Sequence, residues 1–425
     1  MPLASDQAQP TRVRHKVVAL AVLLAMITYL DRASISTMSG DIQRDLKISK
    51  EQMGYVFSAF SLAYAAFEIP TAWWAERAGT RAVLARIVCW WSVFTMATGL
   101  VRSYGVMLAT RFLFGMGEAG AWPSVAKTFE RWVPMRRRGS MKGVFFAGAY
   151  LSGGLTPMLV TALLPHASWR AILMGFGLLG FVWAAVWFWW FRDEPAQHRE
   201  VNAAELAIIA EGRPAALSAE ARRGLWSRLL RERNMAALCL MYVPNCVTFY
   251  FCITWLPTYL KEKHHFEAKD LGFVAGLPLL LSAATQFVGG VSSDLITARW
   301  GLRAGRLIPG VTGYLLAAGA IYAATVVANP MTAAVCFALA TASCMLTTAV
   351  AWGTCLDIGR ENSATVSSVM NTAGQVGAIV TPPLVAILVG PDKDWNLPLH
   401  LLAGLFVVGA LSWLLIDPRR PVVPE

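Results

Sequence analysis

Long apolar segments alternate with short polar ones along most of this chain of 425 residues. A helix needs about 20 mostly apolar residues to cross a bilayer, and short turns with Gly, Pro or charged residues separate most of the segments. The pattern therefore predicts an all-α integral membrane protein. We expect twelve transmembrane helices, over residues 17–39, 53–75, 82–102, 105–129, 140–164, 169–191, 235–260, 270–293, 306–328, 331–356, 364–389 and 398–416.

One connection is longer and more polar than the others. Residues 192–234 are rich in Arg and divide the chain into six predicted helices on each side. We expect an N-terminal six-helix bundle over residues 1–191, a cytoplasmic linker loop, and a C-terminal six-helix bundle over residues 235–425. Within the linker, residues 202–212 predict a short amphipathic helix on the membrane surface.

The composition supports a membrane protein. Hydrophobic residues make up 56% of the chain and charged residues 15%, whereas soluble domains carry about 25% charged residues. Most of the 37 Lys and Arg residues fall on the side that holds both termini and the linker, so that side is predicted to be cytoplasmic. These residues form no basic patch interleaved with aromatics, which argues against a nucleic-acid partner.

Cysteine and histidine offer little catalytic or metal chemistry. All seven Cys lie in apolar segments without a C-x-x-C pair, so we expect no disulfide framework and no metal site. Of the six His, only His400 falls in a predicted span. An enzyme would need a nucleophile with its base, or a metal cluster, inside a span. We therefore expect no enzymatic activity and no cofactor, with a proton gradient as the driving force.

The two halves of the chain share a pattern at corresponding helix ends. Near residues 72–81 and again near residues 290–303, a small residue precedes an acid by four positions and a Gly-x-Arg follows. An acid at a helix end beside a tight glycine turn and an Arg can form a charge latch between helices. The predicted latch residues are Glu76, Arg77, Arg81 and Asp294. A repeat of this kind is the plan of transporters that rock around a midplane site.

This pattern resembles the G-x-x-x-D-R-x-G-x-R signature of the major facilitator superfamily. Ala72 stands in place of the first Gly and Glu76 in place of the Asp. The predicted spans and the long middle loop extend the resemblance over nearly the whole chain. The resemblance implies two pseudo-symmetric six-helix bundles around a central cavity.

Five charged residues lie at bilayer depth, where each costs about 2.5–3.5 kcal/mol on insertion scales. They are Asp31 and Arg32 in the first span, Glu68 in the second, and Arg111 and Glu118 in the fourth. Such residues usually mark a working site. They could instead neutralise one another as interhelical ion pairs, and Glu68 could pair with a loop Arg near the cytoplasmic end.

Helical geometry groups these charges. Arg111 and Glu118 are seven residues apart, so they share a face with about 10 Å between them along the axis. Gly115 lies between them and is expected to keep the helix thin, leaving room for a ligand. Asp31 and Arg32 point about 100° apart, so one can face the cavity while the other reaches a neighbouring helix.

The residue types suggest what such a cavity binds. Two Arg suit a carboxylate, because the planar guanidinium fork matches its oxygens. Two acids in the same cavity can bind protons. An anion that occupies an Arg would release that Arg's acid partner and favour its protonation, which would couple anion entry to proton entry.

Two motifs make the resemblance more specific. Residues 29–36, YLDRASIS, and residues 111–123, RFLFGMGEAGAWP, resemble stretches of the anion:cation symporter branch of that superfamily, which includes bacterial D-galactonate, glucarate and hexuronate proton symporters. The resemblance implies proton sites at Asp31 and Glu118, carboxylate contacts from Arg32 and Arg111, and hydroxyls from Tyr29 and Tyr64. It also implies a bacterial inner membrane. Galactonate-type members have a Gln where this chain has Glu68, which makes Glu68 a possible additional acid.

The second half supplies polar groups rather than charges. Asn245, Trp352, Asn371 and Gln375 are candidates to contact the far end of the substrate. Taken alone, each is explained better as a hydrogen bond between helices than as a substrate contact. The half with the charges is therefore expected to hold the carboxylate and the protons.

These observations predict a monomeric importer that couples protons to a small organic anion by alternating access. The favoured cargo is a sugar acid such as an aldonate, aldarate or hexuronate. The alternative is a permease for an aromatic, dicarboxylic or ureido acid. A drug/proton antiporter fits less well because two cavity Arg would repel cationic drugs, and a membrane sensor would normally append a soluble domain.

Overall fold

The computed structural model describes residues 9–134, 138–210, 231–359 and 363–420, and the chain is helical through most of these ranges. The helices are α1 Val13–Thr37, α2 Ser39–Leu46, α3 Lys50–Ala78, α4 Thr80–Leu100, α5 Tyr104–Glu118, α6 Ala121–Trp132, α7 Arg138–Leu163, α8 Trp169–Trp190, α9 Ala203–Ala210, α10 Arg233–Thr254, α11 Leu256–His264, α12 Ala268–Val326, α13 Pro330–Gly359, α14 Ser363–Val389 and α15 Asn396–Leu414.

Within the described residues, nine helices are long and apolar enough to cross a membrane. The longest of these stretches, residues 269–326, contains two of the predicted spans, which meet at Gly301 with φ 83°. The protein is thus an all-helical membrane protein with multiple spans.

The predicted fourth span is not one helix. Helix α5 ends at Glu118 and α6 begins at Ala121. Between them, Gly120 has φ 86°, and a Cβ at this position would lie 2.4 Å from Cγ2 of Thr71. The expectation of a continuous helix over residues 105–129 is therefore wrong. The left-handed glycine breaks the helix next to Glu118, so this acid lies at a helix end.

Each half of the chain packs mainly within itself. In the first half α1 lies against α7, α4 against α8, and α3 against α5, while in the second half α12 lies against α13 and α15, and α10 against α14. Two further pairs, α7 with α12 and α3 with α14, join the halves.

Small residues bring these joining helices close together. A Cβ on Gly276 of α12 would lie 1.9 Å from the carbonyl oxygen of Gly154 of α7. On the other seam, a Cβ on Gly54 would lie 2.9 Å from the carbonyl oxygen of Pro382. Ser58 Oγ donates to the carbonyl of Ile379 at 2.6 Å. Close approach of this kind is typical of membrane helices, where packing and hydrogen bonds replace the hydrophobic effect.

The linker helix α9 docks on the start of α1, which the sequence analysis did not predict. Glu205 is fully buried. Its carboxylate accepts hydrogen bonds from the backbone N–H groups of Val13 at 2.9 Å and Arg14 at 3.0 Å, and from the hydroxyl of Thr11. The N–H groups of Val13 and Arg14 are free backbone donors at the N-terminus of α1, so Glu205 caps that helix. The predicted helix extended to residue 212, and residues 211 and 212 lie outside the described part of the chain.

Candidate anion and proton site

Arg32 and Glu118 form the closest charged contact of the site. Arg32 Nε donates to Glu118 Oε1 at 2.6 Å, and Nη2 approaches the same oxygen. The side chains are 7% and 1% exposed. Glu118 Oε2 has no hydrogen-bond partner among the described residues. The pair joins α1 to the end of α5.

Arg111 is the second cation and is held differently. Among the described residues, no carboxylate oxygen lies within ion-pair distance of its guanidinium, and its Nε has no hydrogen-bond partner. The guanidinium carbon lies 4.1 Å from the ring centroid of Phe114 and 5.6 Å from that of Phe60. Aromatic faces stabilise a cation without neutralising it, so the charge of Arg111 is available to an anion.

Asp31 points towards α4, away from the Arg32–Glu118 contact. Its Oδ2 accepts a long hydrogen bond of 3.4 Å from Thr95, and Oδ1 has no partner in the part of the chain that the structure describes. The residue is 2% exposed and lies within electrostatic reach of Glu118 and Arg111. Arg32 and Asp31 thus serve different sides of α1.

Arg32 and Arg111 line one cavity. Its other lining residues are Ile35, Phe57, Phe60, Tyr250, Ile253 and Thr254. The cavity is small, with a volume of about 20 Å³, which is room for about one water molecule. Two guanidinium groups border this space, and its other walls are mostly apolar.

Gly115 does not leave room for a ligand, contrary to the expectation from the sequence. A Cβ there would lie 2.3 Å from the backbone oxygen of Phe60. The space above Gly117 is filled in the same way, by the ring of Trp90. These glycines let α3 and α4 approach α5. They position Phe60 between the two Arg side chains rather than opening the cavity.

Aromatic rings surround Arg32. Its guanidinium carbon lies 5.0 Å from the ring centroids of Phe60 and Tyr64, and 5.9 Å from that of Tyr29. Glu68, one turn after Tyr64 on α3, is half-buried and interacts electrostatically with Arg32. The structure therefore brings Tyr29 and Tyr64 to the same cation, with Glu68 one turn further along α3.

Asn245 lies inside the second half and is fully engaged there. Its Nδ2 donates to the hydroxyls of Tyr314 at 2.6 Å and Thr347 at 3.1 Å, and its Oδ1 accepts from Thr348 at 3.0 Å. It joins α10 to α12 and α13, and these contacts leave little capacity for a substrate.

The other three candidates in the second half are more available. Trp352 Nε1 donates to the hydroxyl of Tyr242 at 3.2 Å, and its ring is half-buried, 6.4 Å from that of Phe146 in the first half. Asn371 is half-buried. Gln375 is 7% exposed, and no described residue forms a hydrogen bond with its Oε1.

Of the four predicted latch residues, the structure shows the side chains of Arg81 and Asp294. Glu76 and Arg77 lie outside the residues whose side chains are described. Arg81 Nε donates to the carbonyl of Phe188 at 2.8 Å. Asp294 has an 82% exposed side chain, 3.9 Å from Arg306, whereas Arg306 bonds Asp357 at 2.8 Å.

The glycines of the two motifs share one backbone conformation. Gly79 has φ 81° and ψ 153°, and Gly301 has φ 83° and ψ 168°. After Gly79, the backbone N–H groups of Thr80 and Arg81 donate to Asp193 Oδ1 at 2.5 and 3.0 Å. Asp193 therefore caps α4, and a Cβ on Gly79 would lie 2.6 Å from its carboxylate.

Several residues of the site were missed from the sequence. Thr95, Tyr250, Thr254 and Phe60 contact the charged side chains or line the cavity. They are ordinary residues of apolar spans, so no local signal sets them apart. Arg306 and Asp357 form an ion pair across 51 positions, which spacing alone does not reveal.

Comparison with known proteins decides the family. Residues 21–382 match the model of the Major Facilitator Superfamily. The chain belongs to this superfamily. The match covers most of the chain, including both Arg and all three acids of the site.

Relatives within the superfamily are similar over nearly their whole length. A protein of Cupriavidus necator named as a probable sulfoacetate transporter is 32% identical over 97% of this chain and 96% of its own. A Bacillus subtilis protein named as a probable galactarate/D-glucarate transporter is 28% identical, over 97% and 94%. The D-galactonate transporter of Escherichia coli is 27% identical, over 99% and 100%. As a member of this superfamily, the protein is a transporter and not an enzyme.

Solved structures confirm the fold. A bacterial homologue of the human lysosomal transporter Spinster, in an inward-facing and occupied conformation, superposes with a TM-score of 0.75 at 18% identity. The alignment covers 95% of this chain and 96% of that one. At this identity the similarity describes the superfamily fold alone.

Proposed function

We propose that the protein is a secondary active transporter that couples proton entry to the uptake of a small organic anion. One observation carries the proposal: two Arg line one cavity, and within the described part of the chain Arg32 is paired with an acid whereas Arg111 is not. Arg111 is the docking point for the anion. Protonation of Glu118 removes the charge that holds Arg32, so Arg32 becomes a second arm for the same anion.

Asp31 is the second proton site of the proposal. A buried carboxylate with one long hydrogen bond is costly unless it is paired or neutralised. Asp31 has only the 3.4 Å contact from Thr95 and the electrostatic influence of Arg111. A proton on Asp31 would remove this cost and would also leave Arg111 more attractive to an incoming anion.

Alternating access requires a cavity that opens at one end at a time. We infer twelve spans in two pseudo-symmetric bundles, residues 1–191 and 235–425, which rock along the α7–α12 and α3–α14 seams. Gly154 on α7 and Gly276 on α12 face each other across the seam. Towards the linker end, the same helix faces carry Gly143 on α7 and Gly290 on α12. Among the residues that the structure describes, no atom lies within 4 Å of where the Cβ of either glycine would be. The seam is thus tight at the α2–α11 end and open at the linker end.

The distribution of Lys and Arg orients this arrangement. The linker end carries both termini and most of the basic residues, and we place it in the cytoplasm of a bacterial inner membrane. The seam is then closed towards the outside and open towards the inside. We propose a monomer in the bilayer, driven by the proton gradient without a bound cofactor.

A sugar acid is the first candidate for the cargo. Relatives named for galactarate, D-glucarate and D-galactonate transport share 27–28% identity with this chain. In this reading Trp352, Asn371 and Gln375 contact the hydroxyl-bearing end of the anion. Aromatic, dicarboxylic and ureido acids would fit the Arg pair in the same way.

A short-chain sulfonate or carboxylate is the second candidate. The relative named for sulfoacetate is 32% identical. The wall formed by Ile35, Phe57, Phe60 and Ile253 offers no hydrogen bonds, and only Tyr250 and Thr254 add hydroxyls to this cavity. Unpaired polar groups of a ligand are penalised in such a site, which favours an anion with few hydroxyls.

A thermal-shift screen of the purified protein tests the proposal. Sugar acids, short sulfonates, dicarboxylates and aromatic acids are compared at several pH values. A bound anion raises the midpoint of unfolding, and proton coupling predicts a larger rise as the pH falls. A shift from cationic drugs and from none of the anions would contradict the proposal.

A further inference from the structure

Lys50, Glu262 and Trp395 form a compact cluster at the α2–α11 end, which we name the outer latch. Lys50 Nζ lies 2.6 Å from Glu262 Oε2. Trp395 Nε1 donates to the same oxygen at 3.1 Å, and the Lys50 ammonium lies 5.1 Å from the Trp395 ring centroid. The carboxylate therefore receives two donors, while the ammonium rests on an aromatic face.

The latch is more enclosed than an ordinary surface ion pair. Its charged side chains are 18% and 21% exposed, and Trp395 is fully buried. The pair of Lys16 and Glu200 has the same 2.6 Å separation but is 59% and 44% exposed. Attraction between charges strengthens as water is excluded, so the latch pair is expected to contribute more than the exposed pair.

The latch joins the two halves of the chain. Lys50 is the first residue of α3, and Glu262 lies in α11, 212 positions further on. Beside it the hydroxyls of Ser39 and Thr258, also from different halves, lie 3.2 Å apart.

The latch lies about two helical turns beyond the cavity that holds Arg32 and Arg111, on its α2–α11 side. Phe57, two turns after Lys50, lines this cavity and packs edge-on against Trp255 with 5.5 Å between ring centroids. Trp255 in turn lies next to Thr254, another lining residue, and donates to the carbonyl of Pro382 at 2.9 Å. Opening the cavity at this end must separate α3 from α11 and so break the latch.

We propose that the ion pair of Lys50 and Glu262, supported by Trp395, holds the anion cavity closed at the α2–α11 end. The pair must separate before an anion can enter from that end. This inference rests on the proposed alternating-access function, but its own test needs no substrate. Removing either charge weakens the closed state and shifts the population towards the state open at that end.

The test measures how fast a reporter cysteine in the cavity reacts from the α2–α11 side. Ile35→Cys places the thiol in the cavity lining, in a background where the half-buried Cys89, Cys239 and Cys336 are replaced by Ser. A membrane-impermeant thiol reagent is applied from that side only, and the same background without the reporter is subtracted.

Neutralising one partner should accelerate labelling. Lys50→Gln and Glu262→Gln are each expected to raise the rate about fivefold, the effect of losing about 1 kcal/mol of attraction. The double exchange Lys50→Glu with Glu262→Lys should return the rate towards that of the parent. Lys50→Arg keeps the charge and should label at the parent rate, which shows that substitution at this position is tolerated.

The exposed pair supplies the matched control. Lys16→Gln and Glu200→Gln remove an ion pair of the same residue types and separation, but not one that joins the halves, and should leave labelling unchanged. Parent-like rates in both latch variants would overturn the proposal, as would an exchange variant that labels as fast as the single variants. If the latch variants label faster while no anion is transported under any proton gradient, the role of the latch is supported and the proposed function is contradicted.

Discussion

Arg32 Nε donates to Glu118 Oε1 at 2.6 Å, and this contact joins helix α1 to the break that separates α5 from α6. Both side chains are almost completely buried. Removing one partner of a buried pair leaves an uncompensated charge, at a cost of about 3–5 kcal/mol. A proton on Glu118 together with an anion on Arg32 compensates both charges and avoids that cost when the pair separates. Arg32 can therefore exchange its partner Glu118 for an incoming anion.

Arg111→Lys should weaken anion binding strongly. Lys lacks the planar fork that matches two carboxylate or sulfonate oxygens, and it would stack poorly between Phe60 and Phe114. We expect the dissociation constant to rise at least about tenfold, since a charged hydrogen bond contributes about 1.5–3 kcal/mol. Calorimetric titration with the tightest anion of the screen measures this. Parent-like affinity would count against a carboxylate at Arg111.

Glu68→Gln should strengthen anion binding. Glu68 interacts electrostatically with Arg32, so its negative charge competes with the anion for that cation. Gln has nearly the same shape without the charge. We expect about a two- to fivefold fall in the dissociation constant at neutral pH. The gain should shrink as the pH falls and Glu68 is itself protonated. Weaker binding by the variant would assign Glu68 a direct role in the site.

Gly115→Ala should destabilise the protein. The added Cβ would lie 2.3 Å from the backbone oxygen of Phe60, which cannot move as a flexible side chain would. Overpacking of this kind typically costs about 1–3 kcal/mol, read as a lower midpoint of thermal unfolding in detergent. Gly143→Ala is the control, because nothing lies within 4 Å of its Cβ position. Equal midpoints for both variants would show that α3 and α5 do not need this close approach.

Glu205→Gln should loosen the N-terminus of α1, with an effect that depends on pH. Burial raises the pKa of Glu205, but hydrogen bonds from Thr11, Arg14 and Val13 outweigh it and hold this pKa below its usual value. The capping contribution is thus full above the ordinary Glu pKa of about 4.3. It is lost as the pH falls through the lower folded value.

At neutral pH we expect the Glu205→Gln variant to lose about 1–2 kcal/mol of stability, as for other helix caps. The difference from the parent should disappear in acid. Glu200→Gln, on the same linker but exposed, should show a smaller effect. A pH-independent difference at Glu205 would mean that its charge does not cap α1.

The sequence predicted those parts of the fold that depend on local pattern. Apolar runs of sufficient length located the membrane helices, and charges at bilayer depth identified Arg32 and Arg111, which line one cavity. The break at Gly120 was missed because a glycine in an apolar run is as compatible with close packing as with a left-handed turn.

Contacts between distant segments could not be derived from the sequence. For Asn245 the sequence left both a substrate contact and an interhelical hydrogen bond open, and its amide is engaged by Tyr314, Thr347 and Thr348 from two other helices. The pairing of Lys50 with Glu262 depends on how the two halves meet, so no local pattern reveals it. Gly115 was read as space for a ligand, whereas α3 fills that space.

Proton flux measured together with anion uptake tests the central claim most directly. The protein is reconstituted in liposomes that contain a pH-sensitive dye, and a labelled anion from the screen is added under an inward proton gradient. The parent protein should take up protons and anion together. Asp31→Asn and Glu118→Gln should lose gradient-driven uptake while still exchanging anion for anion. Full gradient-driven uptake in both variants would contradict the assignment of these two acids as the proton sites.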